Sequence, residues 1–82
     1  MSDCPSILII DDDPRMHELL FRQLEPEFVL RAASSGPEGL EKVHAIKPDL
    51  ILLDLVMPQM SGMEVLKRLK ETGREIPVIV LT

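Results

Sequence analysis

The chain has 82 residues, and its 14 acidic against 9 basic side chains give a formal charge of −5. That allows one domain with a thin core and speaks against binding a phosphate backbone or an anionic membrane surface. The hydrophobic share of 45% suits a folded domain rather than a disordered one, and the single cysteine, Cys4, excludes an internal disulfide framework.

Taken in chain order, apolar runs alternate with stretches of helical period. Ser6–Ile10 is a short β-branched run and predicts the first strand. Pro14–Leu24 carries Met16, Leu19, Leu20 and Leu24 at i, i+3, i+4 and i+8, a helical stripe. Phe28–Arg31 predicts a second strand. Pro37–Ile46 carries Leu40, Val43 and Ile46 and closes at Lys47-Pro48, a stop signal. Leu50–Leu53 predicts the third strand. Met63–Glu71 carries Val65, Leu66 and Leu69 and closes at Gly73. Ile76–Leu81 predicts the fourth strand. The start has no basic n-region and no apolar run reaches the length of a membrane span, so the expected location is cytoplasmic. No repeat, linker or low-complexity tract interrupts the pattern.

The helix starts are well marked. Asp13-Pro14 reads as an N-cap followed by Pro at the first helical position. Ser35-Gly-Pro-Glu38 and Ser61-Gly-Met-Glu64 both read as capping boxes. Lys67, Arg68, Lys70 and Arg74 crowd the end of the third helix, where they complement its dipole. The resulting order is βαβαβαβ. Strands that are nearly continuous apolar runs are covered on both faces. A parallel α/β sheet follows, with right-handed crossovers.

The first strand runs directly into Asp11, Asp12 and Asp13, and the third directly into Asp54. The fourth ends at Thr82. These are the C-terminal ends of parallel strands, where open α/β sheets place their ligands. Asp13 is accounted for as a cap. Asp54 is not so easily accounted for, because it interrupts the run Leu50-Ile-Leu-Leu-Asp54-Leu-Val-Met57, where a charge has no structural use. Two carboxylates about 4 Å apart repel by roughly 4 kcal/mol at an effective dielectric near 20. A proton or a cation must offset that repulsion. A donor set of oxygens without His or Cys suits a hard ion, Mg²⁺ first. Cys4, His17 and His44 are read as structurally incidental, and Met57, Met60 and Met63 as loop and core packing.

Four blocks carry a resemblance: Ile7-Leu-Ile-Ile-Asp-Asp-Asp-Pro14, Lys47-Pro-Asp-Leu-Ile-Leu-Leu-Asp54-Leu-Val-Met-Pro58, Met60-Ser-Gly62 and Ile76-Pro-Val-Ile-Val-Leu-Thr82. In order and spacing they resemble the receiver domain of two-component response regulators. The resemblance implies a flavodoxin-like three-layer sandwich with strand order 2-1-3-4-5, here 2-1-3-4. It implies a signalling domain rather than an enzyme, with Asp54 as the phosphoryl acceptor from a sensor histidine kinase or phosphotransfer protein. By the same resemblance Mg²⁺ is held by Asp12 directly, by Asp11 mostly through water, by Asp54 and by the backbone carbonyl of Val56, and Thr82 hydrogen-bonds the phosphoryl group and moves with it. The kinase would dock on the exposed side of the first helix near Met16 and His17, and Val56 and Gln59 would tune the phosphoryl lifetime.

Against the family's pattern, the fifth strand with its Lys and the last two helices are missing. Residues 1–82 therefore read as one receiver domain truncated at its C-terminus, with any output domain beyond residue 82. The fourth strand becomes an apolar edge and a route to self-association. The main alternative function is a receiver-like interaction module that is never phosphorylated. An Asp-nucleophile phosphatase of the haloacid dehalogenase type would need an Asp-x-Asp motif followed by Thr after the first strand. A flavodoxin-like flavin binder would need a Ser/Thr/Gly loop there, where three Asp would repel a phosphate.

Overall fold

The computed structural model describes residues 4–58, 60–73 and 75–81. Four strands, β1 (Ser6–Ile10), β2 (Val29–Ala33), β3 (Leu50–Leu53) and β4 (Val78–Val80), alternate with three helices, α1 (Pro14–Leu24), α2 (Gly36–Ile46) and α3 (Gly62–Glu71). All three strand pairings are parallel and the sheet order is β2-β1-β3-β4. The expected βαβαβαβ order and strand order both hold.

The sheet separates two apolar clusters. Leu8, Ile10, Ala33, Ile51 and Leu53 face one side, where Val43 of α2 and Val65 and Leu69 of α3 close over them. Ile7, Ile9, Leu30 and Leu52 face the other, where Leu20, Phe21 and Leu24 of α1 pack. The three layers of the flavodoxin-like sandwich follow from this alternation, since successive strand residues point to opposite faces. On the α1 face one helix covers four strands, and coverage fails at the β4 edge. Ile79 pairs with Leu52 in register yet is 51% exposed.

Several boundaries differ from the sequence reading. β2 runs Val29–Ala33 rather than Phe28–Arg31. Ala32 and Ala33 have low strand propensity and are drawn in by pairing with Ile9 and Ile10. β4 is only Val78–Val80, although Ile51 N–H still bonds the Pro77 carbonyl and Leu81 N–H the Leu53 carbonyl. On α1 the inward stripe is Leu20, Phe21 and Leu24, while Leu19 is 51% exposed. Met57 is buried and Met60 packs on the same cluster, but Met63 faces solvent.

The caps form with one amendment. Asp13 accepts from Arg15 N–H, and Ser35 and Ser61 accept from the N–H of Glu38 and Glu64. Neither box is reciprocal in the expected way. Glu38 accepts instead from Ser34 N–H at 2.9 Å, one residue further back, and Glu64 accepts from Arg68 Nε at 3.0 Å. α2 ends at Lys47, held in the left-handed region at φ 56° with its N–H on the Val43 carbonyl.

The register of the central pair positions everything that follows. Ile10 sits opposite both Ala33 and Leu53, so β1, β2 and β3 end level with one another. At the far end of the sheet Asp49 locks that register. Its carboxylate accepts from Ser6 N–H at 2.8 Å, and its own N–H donates to the Ser6 carbonyl at 2.9 Å.

Candidate phosphoacceptor and metal site

The level strand ends deliver Asp11, Asp12 and Asp54 to one place. The Asp54 N–H donates to the Ile10 carbonyl at 2.9 Å and the Asp11 N–H to the Ala33 carbonyl at 3.0 Å. Each chain thus leaves the sheet directly at a carboxylate. One ligand oxygen from each of the three lies within 4.8 Å of the others. Asp11 is buried at 4% exposure, Asp54 is half-buried and Asp12 is exposed. The trio therefore has a buried base and an open mouth.

Each acid is held differently. Asp11 Oδ1 accepts from Asp13 N–H at 2.9 Å. Burial pushes the Asp11 carboxyl above its ordinary pKa, the Asp13 N–H opposes that, and the charges of Asp54 and Asp12 push it further up. Asp54 Oδ1 accepts from Val56 N–H at 3.0 Å, a tight turn that fixes the carboxylate against its own loop. Asp13 is turned away from the site. Its carboxyl is held below the ordinary range by the N–H and guanidinium of Arg15, as its reading as a cap requires.

Two supports follow the strand ends. The Gly62 N–H donates to the Leu55 carbonyl at 2.9 Å, and a Cβ at Gly62 would lie 2.5 Å from Leu55 Cα and 2.6 Å from the Asp54 carbonyl oxygen. Only glycine lets α3 start this close to the loop that follows β3. Beside β2, Lys42 Nζ donates to the Ala32 carbonyl at 2.6 Å and pairs with Glu38 at 3.3 Å. The Ser34 N–H and Lys42 hold the Glu38 carboxyl below its ordinary pKa. A cleft of about 200 Å³ opens next to Asp12, walled by Ser34, Ser35, Gly36, Met57, Pro58 and Met60.

The sequence reading did not anticipate the contact made by His17. Read as incidental, it instead brings Nε2 to 2.6 Å from the Asp11 carbonyl oxygen. A bond to main chain leaves no motif. The available signal was a polar ring on the second turn of a helix that starts at the acidic loop. Val56 lies in the loop that follows β3 with an exposed side chain. Thr82 and Gln59, and Arg74 of the basic cluster, lie outside the described residues.

A donor set of three carboxylates with neither His nor Cys fits a hard divalent cation. The flavin reading does not fit, because the β1 end presents carboxylates where a phosphate would have to sit.

Comparison with known proteins identifies the family. The response regulator receiver domain family matches residues 7–82, and the chain belongs to that family, whose members take a phosphoryl group onto an aspartate in two-component signalling. Response regulator MprA of Mycobacterium ulcerans is 39% identical over 77 residues, covering 93% of this chain and 33% of that protein. Response regulator TrrA of Thermotoga maritima, solved in complex with Mg²⁺ and BeF, superposes with a TM-score of 0.88 at 35% identity, covering 95% of this chain and 69% of that one. The complex of histidine kinase ThkA with TrrA gives 0.86 at 35% identity, covering 95% and 68%. The chain thus spans about a third of the length of MprA.

Proposed function

We propose that residues 1–82 belong to one receiver domain in which Asp54 accepts a phosphoryl group from a histidine kinase or phosphotransfer protein, in the cytoplasm. The observation that carries this reading is the convergence of Asp54 with Asp11 and Asp12 at the level ends of β1 and β3. Asp54 is the proposed nucleophile: it lies at the end of β3, half-buried at the open mouth, with its carboxylate oriented by Val56 N–H. A carboxylate oxygen attacks phosphorus in line with the bond to the donor's leaving group, a geometry that phosphoryl transfer demands more than covalent assistance. Asp11, Asp12, Asp54 and the Val56 carbonyl are the proposed ligands of Mg²⁺. When bound, the ion neutralises the repulsion between the attacking carboxylate and the phosphoryl oxygens. A cation held there would also relieve the cost of burying Asp11 as a bare anion. Thr82 keeps its assignment as hydrogen-bond donor to the phosphoryl group.

The proposed kinase-docking face lies along α1. Pro14, His17, Glu18, Phe21, Arg22 and Glu25 line an open groove there of about 400 Å³. The kinase complex of TrrA supports a partner of this class.

Incubation with acetyl phosphate tests the assignment. Intact-mass spectrometry should show the gain of one phosphoryl group in the presence of Mg²⁺ and none after chelation. Asp54→Asn should remove the gain. An unmodified wild-type chain at saturating Mg²⁺ would favour the alternative, an interaction module that is not phosphorylated.

A further inference from the structure

The ring of His17 reaches from α1 onto the main chain of the acidic loop. Its Nε2 lies 2.6 Å from the Asp11 carbonyl oxygen, six residues back along the chain. A carbonyl only accepts, so Nε2 carries the proton and donates. The bond comes immediately after the last ladder contact of β1, the Asp11 N–H on the Ala33 carbonyl. Asp11 is therefore gripped at three points: its amide by β2, its carboxylate by Asp13 N–H and its carbonyl by His17. The third grip reaches beyond Asp11. A peptide unit is planar, so holding the Asp11 carbonyl also sets the direction in which the chain enters Asp12. Asp12 is exposed, and this plane sets its approach to the site. The residues that α1 lends to the apolar cluster are Leu20, Phe21 and Leu24. Half-buried His17 instead gives its Nε2 to the loop.

We propose that His17 is a positioning residue for the cation site: its Nε2–H fixes the Asp11–Asp12 peptide plane and so aims both carboxylates at the ion. The inference rests on the assignment of Mg²⁺ to Asp11, Asp12 and Asp54. It predicts that affinity for the ion depends on a donor at the distance of Nε2 and not on the imidazole as such.

The test compares His17→Gln with His17→Asn in the 82-residue chain. The Gln amide nitrogen reaches about as far as Nε2, and the Asn amide falls one methylene short. Mg²⁺ affinity is measured by isothermal titration calorimetry, with circular dichroism giving the folded fraction of each protein. The Gln variant should bind within about twofold of wild type. The Asn variant should bind about tenfold more weakly, the scale on which partners that orient metal ligands act. Equal affinities for Gln and Asn would overturn the proposal, as would an Asn deficit that disappears once affinity is referred to the folded fraction. A wild-type chain that binds no Mg²⁺ would remove the site assignment itself, and this inference with it.

Discussion

Asp11→Asn separates two roles of one carboxylate. Burial raises the Asp11 pKa, so its contribution to folding is fully present below the ordinary value of 3.8 and is lost as pH rises through the folded value. Ionised Asp11 therefore weakens the metal-free fold at neutral pH. Asn keeps an oxygen for Asp13 N–H and carries no charge. The variant should unfold at a higher temperature than wild type at pH 7 without metal, and the difference should vanish below pH 3.8. Asp13 and Glu38 shift the other way, losing their contributions as pH falls through their depressed values, but they are common to both proteins and cancel. A second consequence concerns the ion. At 100 times its Kd, Mg²⁺ should stabilise wild type by about 2.7 kcal/mol, measured by thermal unfolding, and Asp12→Asn should remove most of that gain. At this scale Asp54 was the most legible residue, because a charge inside an apolar run has no packing role to explain it. His17 was illegible, since its partner is a main-chain oxygen and any residue type supplies one.

Helix ends and the acceptor loop are where single substitutions act through a whole element. Ser35 accepts from Glu38 N–H at the start of α2, and Ser35→Ala should cost about 1 kcal/mol in urea denaturation. Gly62→Ala should cost more, on the order of 1–3 kcal/mol, because the two atoms nearest the added Cβ, Leu55 Cα and the Asp54 carbonyl oxygen, are backbone and cannot swing aside. It should also slow labelling by acetyl phosphate, because Asp54 and Leu55 are the atoms displaced. Gly73→Ala is the control. Its φ of +79° makes alanine strained, but nothing lies near its Cβ, so it should lose stability and label at the wild-type rate. The elements were legible in type and less so in detail. The Ser-x-x-Glu spacing located two helix starts correctly, yet it could not tell that Glu38 would prefer the Ser34 amide or that Glu64 would turn to Arg68. Those choices depend on chain paths before the helix and on the facing turn, neither of which a four-residue pattern contains. The end of β2 was missed for a similar reason: Ala32 and Ala33 are strand residues by virtue of their neighbours on β1.

For the molecule as a whole, the sheet is unevenly covered. α2 and α3 share one face, and α1 alone serves the other. The outer strand β4 exposes Ile79 at 51% and Val80 at 43%. An apolar edge of this kind recruits further strands, so the chain should self-associate with rising concentration. Ile79→Lys should shift sedimentation velocity profiles toward monomer without weakening Mg²⁺ binding, because the acidic trio does not involve β4. The fold class was readable because alternating strand and helix periods with uninterrupted apolar strands admit few arrangements. The unequal coverage was readable only through the family resemblance, because it depends on which helices share a face and not on any one segment.

The pairing of β1 with β3 has a consequence for which substitutions the protein can tolerate. Successive residues along a strand are about 3.3 Å apart and point to opposite faces. A slip of one residue would move Asp54 by that distance relative to Asp11 and turn its side chain through the sheet. The same slip would carry Leu52 and Leu53 into the wrong layers. Hydrophobic sidedness and chemical alignment are thus guarded by the same constraint. Apolar residues that never approach a phosphoryl group serve as its ruler, and Asp49 on Ser6, at the opposite end of the sheet, is where that ruler is pinned. Variants that erode the sidedness of β1 or β3 should therefore lose ion binding and phosphorylation together, well before they lose secondary structure.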